Sequence, residues 1–347
     1  MKKFKLLTLT FAIAFSWLLS GCGSDKPAPS SSSPAGSPTA ETSGKPLNIG
    51  LVTDVTGVND KAFSQSAWEA LVKLRQDQGI QVRYLQSKTD ADFVPNLSQF
   101  VRNDYDLTWG TGFVMADAVR KVAQENPDAK LAIVDNEVDE PNVQSVLFSE
   151  QEGSFLVGVI AGMMTTTGKV GFVGGMKIPV IAKFEAGFKA GVAAANPDAE
   201  ILVNYTGAFD KPDLGKTAAS VLYNDGVDII FHAASATGAG VFNEAKDRFQ
   251  KGQRVWVIGV DKDQSLEYGD DITLSSMMKR VDEAVYRVSK EMAEGHFQGG
   301  TTLQLGLKEN GVGIADTSSK NVPADVLAKV EEYKQKIIDG EIQIPVQ

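Results

Sequence analysis

Short apolar runs alternate with longer amphipathic segments along most of the chain from Leu47 onward. The segment Lys61–Gln78 is typical, because Phe63, Ala67 and Leu71 recur at the spacing that places them on one helical face. The apolar runs are short and continuous, without the alternation of a half-exposed strand. Strands of this kind, separated by helices, indicate parallel sheets that are covered by helices on both faces.

This pattern repeats through the whole folded part of the chain. The predicted strands are Leu47–Asp54, Gln81–Leu85, Asp106–Trp109, Leu131–Asp135, Val143–Phe148, Lys169–Val173, Ile201–Tyr205, Val227–Phe231 and Val255–Val260. The predicted helices are Lys61–Gln78, Phe93–Asn103, Val114–Glu125, Phe184–Ala195, Lys211–Asn224, Val241–Phe249 and Ala324–Ile338.

About 300 residues exceed what one hydrophobic core usually supports, so we expect two α/β lobes, each a doubly wound parallel sheet. The alternation starts afresh near Glu150, where we place the break. The first lobe is predicted to comprise residues 47–150 plus about 276–301, and the second residues 151–275 plus about 302–347. The late segments Ile272–Met277 and Thr302–Leu307 are predicted to be crossovers between the lobes, which makes this a hinge with several crossovers.

The first 21 residues have the layout of a secretory signal peptide. A basic start with three lysines precedes the apolar run Leu6–Leu19, which is too short for a stable membrane span. The run ends in Leu19-Ser20-Gly21-Cys22, which resembles the bacterial lipobox, where the cysteine is diacylated and becomes the new N-terminus. The alternative is an ordinary signal peptide with a chance cysteine, but Cys22 is the only cysteine in 347 residues.

Residues 22–46 resemble a disordered tether. The stretch contains seven serines and five prolines, and it cannot bury enough apolar surface to fold. We therefore expect a protein that is lipid-anchored on the extracytoplasmic face of the cell membrane, with no membrane contact other than the anchor.

Charge and composition exclude several functions. The net charge of the whole chain is −10. Lysines are the only charged residues of the predicted leader, so the mature chain is still more acidic and a nucleic-acid partner is not expected. With one cysteine and only His232 and His296 as histidines, the chain offers little for thiol, triad or zinc chemistry. We expect no enzyme, no metal site and no cofactor.

Three predicted strands end in an aspartate, namely Asp54, Asp135 and Asp261. Ligands of open parallel sheets bind outside the carboxyl ends of the strands, where such carboxylates can accept hydrogen bonds from hydroxyl or ring N–H groups. The alternative is that each of these aspartates caps the turn that follows its strand.

Phe63 and Phe209 also follow strand ends, and aromatic rings at such positions can sandwich a flat ligand. Phe172, Phe184 and Phe188 fit a core role better.

The sequence resembles the basic membrane protein family of lipoproteins, whose best understood members are purine nucleoside receptors of ABC transporters. The resemblance extends from about Leu47 to Ile344, and together its motifs are specific. They are Asp54–Phe63, Gly168–Gly175, Phe184–Gly191, Ile258–Gln264 and Ser275–Lys279.

The resemblance implies the two-lobed periplasmic-binding fold of the ribose-binding type, and a monomer that delivers a purine nucleoside to an ABC permease. The family's two aromatics that sandwich the purine match Phe63 and Phe209, and its base-binding acid matches Asp54. Its ribose-binding acid and lysine match Asp261 and Lys279. With Asp135 as a second acid for the base, the expected ligand contacts are Asp54, Phe63, Asp135, Phe209, Gly238, Asp261 and Lys279.

Two alternatives remain at this stage. The same fold could bind a monosaccharide, since sugar sites also use aromatics and carboxylates. From a different class, the scaffold could serve as a surface adhesin or an extracytoplasmic enzyme.

Carboxylates only accept hydrogen bonds, so within the nucleoside hypothesis guanosine and inosine are favoured over adenosine, whose N1 is an acceptor.

Overall fold

The computed structural model describes residues 46–347; the predicted signal peptide, Cys22 and the tether before Pro46 lie outside the described residues. The described chain contains two six-stranded sheets. The strands of the first sheet are β1 (Asn48–Thr53), β2 (Gln81–Gln86), β3 (Leu107–Thr111), β4 (Leu131–Val134), β5 (Val143–Phe148) and β11 (Thr301–Leu305). The strands of the second are β6 (Lys169–Gly174), β7 (Glu200–Tyr205), β8 (Ile229–Ala233), β9 (Trp256–Asp261), β10 (Thr273–Lys279) and β12 (Val312–Ile314).

Helices cover the faces of both sheets. They are α1 (Phe63–Gln78), α2 (Phe93–Arg102), α3 (Ala116–Glu125), α4 (Glu150–Met164), α5 (Pro179–Ala195), α6 (Pro212–Asn224), α7 (Gly238–Gln250), α8 (Ser265–Tyr268), α9 (Val281–Ala293) and α10 (Ala324–Ile338). None of the helices between residues 46 and 347 is long and apolar enough to cross a membrane.

Both sheets follow the same strand order. The first is ordered β11-β5-β4-β3-β1-β2 and the second β12-β10-β9-β8-β6-β7. All strand pairs are parallel except β10 with β12. The order reverses beside β1 in one sheet and beside β6 in the other, and such switch points form ligand crevices in doubly wound sheets. The predicted fold class is confirmed.

The central strands form where the sequence is mostly apolar. In β1, Ile49, Leu51 and Val52 are fully buried, as expected for a strand with helices on both faces. Helix α1 ends at Gly79, whose φ of 71° is the left-handed conformation that glycine adopts without strain.

The chain crosses between the lobes three times. It leaves the first sheet after Phe148, leaves the second after Lys279 for α9, which packs on α1, and crosses again between Leu305 and Val312. The predicted crossover segments Ile272–Met277 and Thr302–Leu307 instead lie largely within strands β10 and β11. The last two crossings follow those strands, a few residues beyond the predicted bounds near 276 and 302. Ladder hydrogen bonds keep each strand in one sheet, so the crossings occur at strand ends.

Three helices have no counterpart among the sequence predictions, namely α4, the four-residue α8 and α9. Helix α4 is buried on almost every face, so no polar side marks it as amphipathic. It contacts α5 backbone to backbone: a Cβ built on Gly191 would lie 2.0 Å from the Phe155 carbonyl oxygen, and one on Gly187 2.2 Å from that of Gln151. Helix α9 does carry a buried apolar stripe, including Val281, so its periodicity is visible in the sequence.

Candidate functional site

A cavity lies between the two sheets, at the carboxyl ends of their central strands. Its walls come from the loops after β1, β3 and β4 in the first lobe, and from those after β6, β7, β8 and β9 with the end of β10 in the second. The empty space between the lobes at this point is about 600 Å³, a figure that includes space open to solvent. Most of its lining is apolar, with polar groups concentrated on a few side chains.

Aromatic rings line the cavity from both lobes. Phe63, the first residue of α1, enters from the first lobe, and Phe209 enters from the loop after β7 in the second. Gly175 is needed behind Phe209, since a Cβ there would lie 2.3 Å from the Phe209 ring. Phe113 and the buried Phe184 complete the aromatic lining, so Phe184 serves the core and the cavity together.

A buried lysine forms the charged end of the cavity. Lys279 is 1% exposed, and its Nζ lies 2.6 Å from Asp135 Oδ1 and 3.0 Å from Glu150 Oε1. Burial disfavours the charge, but the carboxylates of Asp135, Glu150 and Asp261 outweigh it and raise the pKa of Lys279. The ammonium also lies 5.1 Å from the ring centroid of Phe63, within cation–π range. Lys279 is therefore a permanently charged donor.

The second carboxylate of this cluster, Glu150, was not among the predicted site residues. It is 1% exposed at the start of α4, and its other oxygen accepts a hydrogen bond of 3.2 Å from Lys183. The sequence signal was weak, because Glu150 follows the apolar strand β5 by two residues and marked only the predicted break between the lobes.

Asp261, at the end of β9, presents its carboxylate to the cavity. Among the described residues, none donates a hydrogen bond to it, although its side chain is almost completely buried. Burial raises the pKa of Asp261 to about 7, against the opposing effect of the Lys279 ammonium. This carboxylate is therefore available to a ligand.

The backbone is strained around the cleft. Of the six non-glycine residues with positive φ in the described chain, four flank the cleft: Lys61, Asp135, Ser235 and Asp261, with φ between 47° and 74°. Such conformations are uncommon for residues with a Cβ, and they collect at functional sites. Asp135, Ser235 and Asp261 lie at or just after strand ends, and all three line the cavity.

Asp54 lies on the cavity wall at the end of β1. Its Oδ1 accepts two hydrogen bonds from Thr56, one from the backbone N–H at 2.9 Å and one from the hydroxyl at 2.5 Å. Its Oδ2 receives none from the described residues. Burial is the main reason that the pKa of Asp54 is raised. One carboxylate oxygen is thus fixed by the turn, and the other can accept from a ligand.

Direct contacts also join the two lobes beside the cavity. The Ser235 hydroxyl of the second lobe donates to Asp60 in the first, at 2.8 Å, and the Gln264 amide donates to the Lys61 carbonyl at 3.1 Å. Ion pairs Lys61–Glu267 and Lys262–Glu69 link the same edges. The structure is therefore that of closed lobes.

Gly238 requires a correction, because it does not line the cavity. Its Cα faces the ring of His232, and a Cβ there would lie 2.1 Å from that ring. His232 is fully buried, and its Nε2 lies 2.8 Å from Gln264 Oε1. Because that oxygen only accepts, Nε2 carries the proton, and Nδ1 has no partner among the described residues. Burial lowers the pKa of His232 to about 4, so the ring is neutral.

Comparison with known proteins identifies the family. The model of the Bmp family, described as PnrA-like ABC transporter substrate-binding proteins, matches residues 48–347. The chain belongs to this family.

Relatives of known name or structure match most of the chain. It is 45% identical over 355 residues to the CD4+ T-cell-stimulating antigen of Listeria monocytogenes, covering 98% of this chain and 97% of that protein. It is 35% identical over 366 residues to the ABC transporter nucleoside-binding protein BmpA of Lactococcus lactis, covering 99% of each. The crystal structure of an ABC transporter solute-binding protein from Aeropyrum pernix superposes with a TM-score of 0.82 at 32% identity, covering 87% of this chain and 94% of that one.

Membership in the Bmp family confirms the expected class of function. The chain is a substrate-binding protein of an ABC transporter, which binds a small ligand, and it is not an enzyme. The resemblance that the sequence motifs suggested is thereby confirmed.

Proposed function

We propose that this Bmp-family protein binds a purine nucleoside in the cavity, with guanosine and inosine preferred. The observation that carries the proposal is the placement of Phe63 and Phe209, which approach the same cavity from opposite lobes. A flat base between them would stack on a ring from each lobe, and each base–aromatic stack contributes roughly 1–3 kcal/mol. Such a ligand would link the lobes and favour closure.

Different carboxylates of the cavity would contact the base and the ribose of such a ligand. Asp135 is engaged by Lys279, which leaves Asp54 as the acid for the base edge. A carboxylate accepts the ring N–H of guanine or hypoxanthine, whereas N1 of adenine would direct a lone pair at it. Asp261 and Lys279 supply an acceptor and a donor for the ribose hydroxyls. The relative from Lactococcus lactis, named as nucleoside-binding, supports this ligand class.

The test is calorimetry of the purified mature protein with guanosine, inosine, adenosine, guanine, uridine and ribose. Guanosine and inosine should bind most tightly, and guanine should bind less well because it lacks the ribose contacts. Tight binding of ribose with failure of every nucleoside would replace this proposal by the monosaccharide alternative. Preference for adenosine would overturn only the base preference, and would indicate a protonated Asp54. Mass spectrometry of small molecules released on denaturation provides an independent check.

The proposal includes a lipid anchor at Cys22 and docking of the closed, monomeric protein on an ABC permease at the extracytoplasmic face. The motif Leu19-Ser20-Gly21-Cys22 supports the anchor. Several acyl chains hold a protein firmly, whereas one binds only marginally. Cys22→Ser should abolish acylation and leave the leader uncut by the lipoprotein peptidase. Mature wild-type protein without acyl mass on residue 22 would refute the anchor.

A further inference from the structure

We propose that Glu150 is a positioning residue of the binding site, which holds the Lys279 ammonium apart from Asp261 so that both remain free for ligand hydroxyls. The inference rests on the proposed nucleoside function. Glu150 does not line the cavity, and it would act through Lys279.

The hydrogen bonds of Lys279 support this role. An ammonium has three N–H donors. Asp135 and Glu150 take one each, at 2.6 and 3.0 Å, and the third remains for the cavity that Lys279 lines. Among the described residues, no ion pair within 4.0 Å joins Lys279 to Asp261. Lys279 and Asp261 thus both line the cavity without pairing with each other.

The charges explain why a second carboxylate is needed beside Asp135. Lys279 is attracted by Asp261 as well, and in a buried site this attraction is weakly screened. Glu150 pulls the ammonium in the other direction, toward the start of α4. The N-terminus of α4 favours the negative charge of Glu150, and the Lys183 ammonium lies 3.2 Å from the second oxygen of Glu150. Glu150 is therefore held from two sides.

Loss of the Glu150 charge should let Lys279 move toward Asp261. The two groups would then pair with each other, and a diol would have to break that pair before binding. The cost should fall on ligands with ribose hydroxyls and should spare contacts to the base. This split separates a positioning role from a purely structural one, because a general loosening of the lobe would weaken all ligands alike.

The experiment compares guanosine with 2′,3′-dideoxyguanosine on the mature protein by calorimetry. Wild type should prefer guanosine. Glu150→Gln should reduce that preference about ten-fold, the equivalent of one charge-assisted hydrogen bond, while the affinity for the dideoxy compound changes little. The matched control is Glu152→Gln in the same helical turn, because Glu152 accepts a hydrogen bond from the Leu307 N–H at 2.7 Å and does not line the cavity. This control should keep the wild-type preference.

A second variant controls for misfolding of Glu150→Gln. Removing one partner of a buried ion pair leaves an uncompensated charge, which can destabilise the fold. Glu150→Gln combined with Lys183→Gln removes both members of that pair and should show the same reduced preference. An unchanged preference in the variants, or an equal loss for both ligands, overturns this inference alone. Failure of wild type to bind any nucleoside overturns the proposed function, and this inference with it.

Discussion

The hydroxyl of Ser235 donates a hydrogen bond of 2.8 Å to the carboxylate of Asp60, and the two residues belong to different lobes. Asp60 is 3% exposed, and it also accepts from the backbone N–H groups of Ala62, Ser64 and Gln65 at the start of α1. Closure of the lobes therefore completes the hydrogen bonds of a carboxylate that also orders the helix carrying Phe63.

Ser235→Ala should shift the protein toward open lobes. The three backbone donors still hold Asp60, so we expect unchanged thermal stability and a ligand affinity lowered by about 1–2 kcal/mol. Small-angle scattering of the ligand-free protein should show a larger radius of gyration than for wild type. Ser319→Ala, which removes a hydroxyl bonded within its own lobe, provides the control. Identical scattering curves for the two variants would contradict a closing role for Ser235.

The aromatic pair should be tested by graded substitution. Phe63→Ala and Phe209→Ala should each weaken binding of the preferred nucleoside by about 1–3 kcal/mol, because each removes one stacking face. Phe→Leu at the same positions keeps much of the apolar volume without the π-face and should give an intermediate loss. Calorimetry measures all four variants. Full affinity in both alanine variants would mean that the base lies elsewhere.

The stability of the ligand-free protein should depend on Asp261 and pH. The pKa of Asp261 is raised from 3.8 to about 7, mainly by burial, with Asp60, Asp135 and Glu150 adding repulsion and Lys279 opposing. Between these two values the native state binds more protons than the unfolded state. The free energy of unfolding should therefore fall as pH rises through this window, by up to about 1.4 kcal/mol per pH unit from this one group.

Asp261→Asn removes this dependence. The variant should match wild type near pH 4 and exceed it in stability above pH 7, as measured by urea unfolding at a series of pH values. The other titrating groups are present in both proteins, so the difference isolates Asp261. Stability curves that run parallel from pH 4 to pH 8 would show that the carboxylate is not buried in solution.

The contact of α4 with α5 should not tolerate an added methyl group. Gly191→Ala would place a Cβ 2.0 Å from the Phe155 carbonyl oxygen, so the helices must separate, and we expect a loss of about 1–3 kcal/mol in unfolding free energy. Gly313→Ala is the control, since its Cβ would meet nothing within 4 Å. Chemical denaturation of both variants measures the difference, and equal stabilities would contradict the close packing.

Hydrophobic periodicity alone predicted most of the regular structure. Strand β5 and helix α10 begin and end at the predicted residues, because their apolar patterns stop abruptly at polar positions. Helix α4 was not predicted, because a helix that is buried on nearly all faces has no polar side to reveal its period. The strand-end positions of Asp54, Asp135 and Asp261 could also be read directly, because parallel strands present their carboxyl ends at one edge.

Only the tertiary structure decided how those side chains are used. Asp135 lies 144 positions before Lys279 in the chain, yet it accepts a hydrogen bond from that lysine, whereas one oxygen of Asp54 accepts none from the described residues. Gly238 packs on His232 instead of lining the cavity, and Glu150 joins the site from the first turn of a helix. Local sequence encodes the period of each element and the residue at its end. The partner of a buried charge depends instead on which strand ends meet across two lobes, and that follows from the packing of the whole chain.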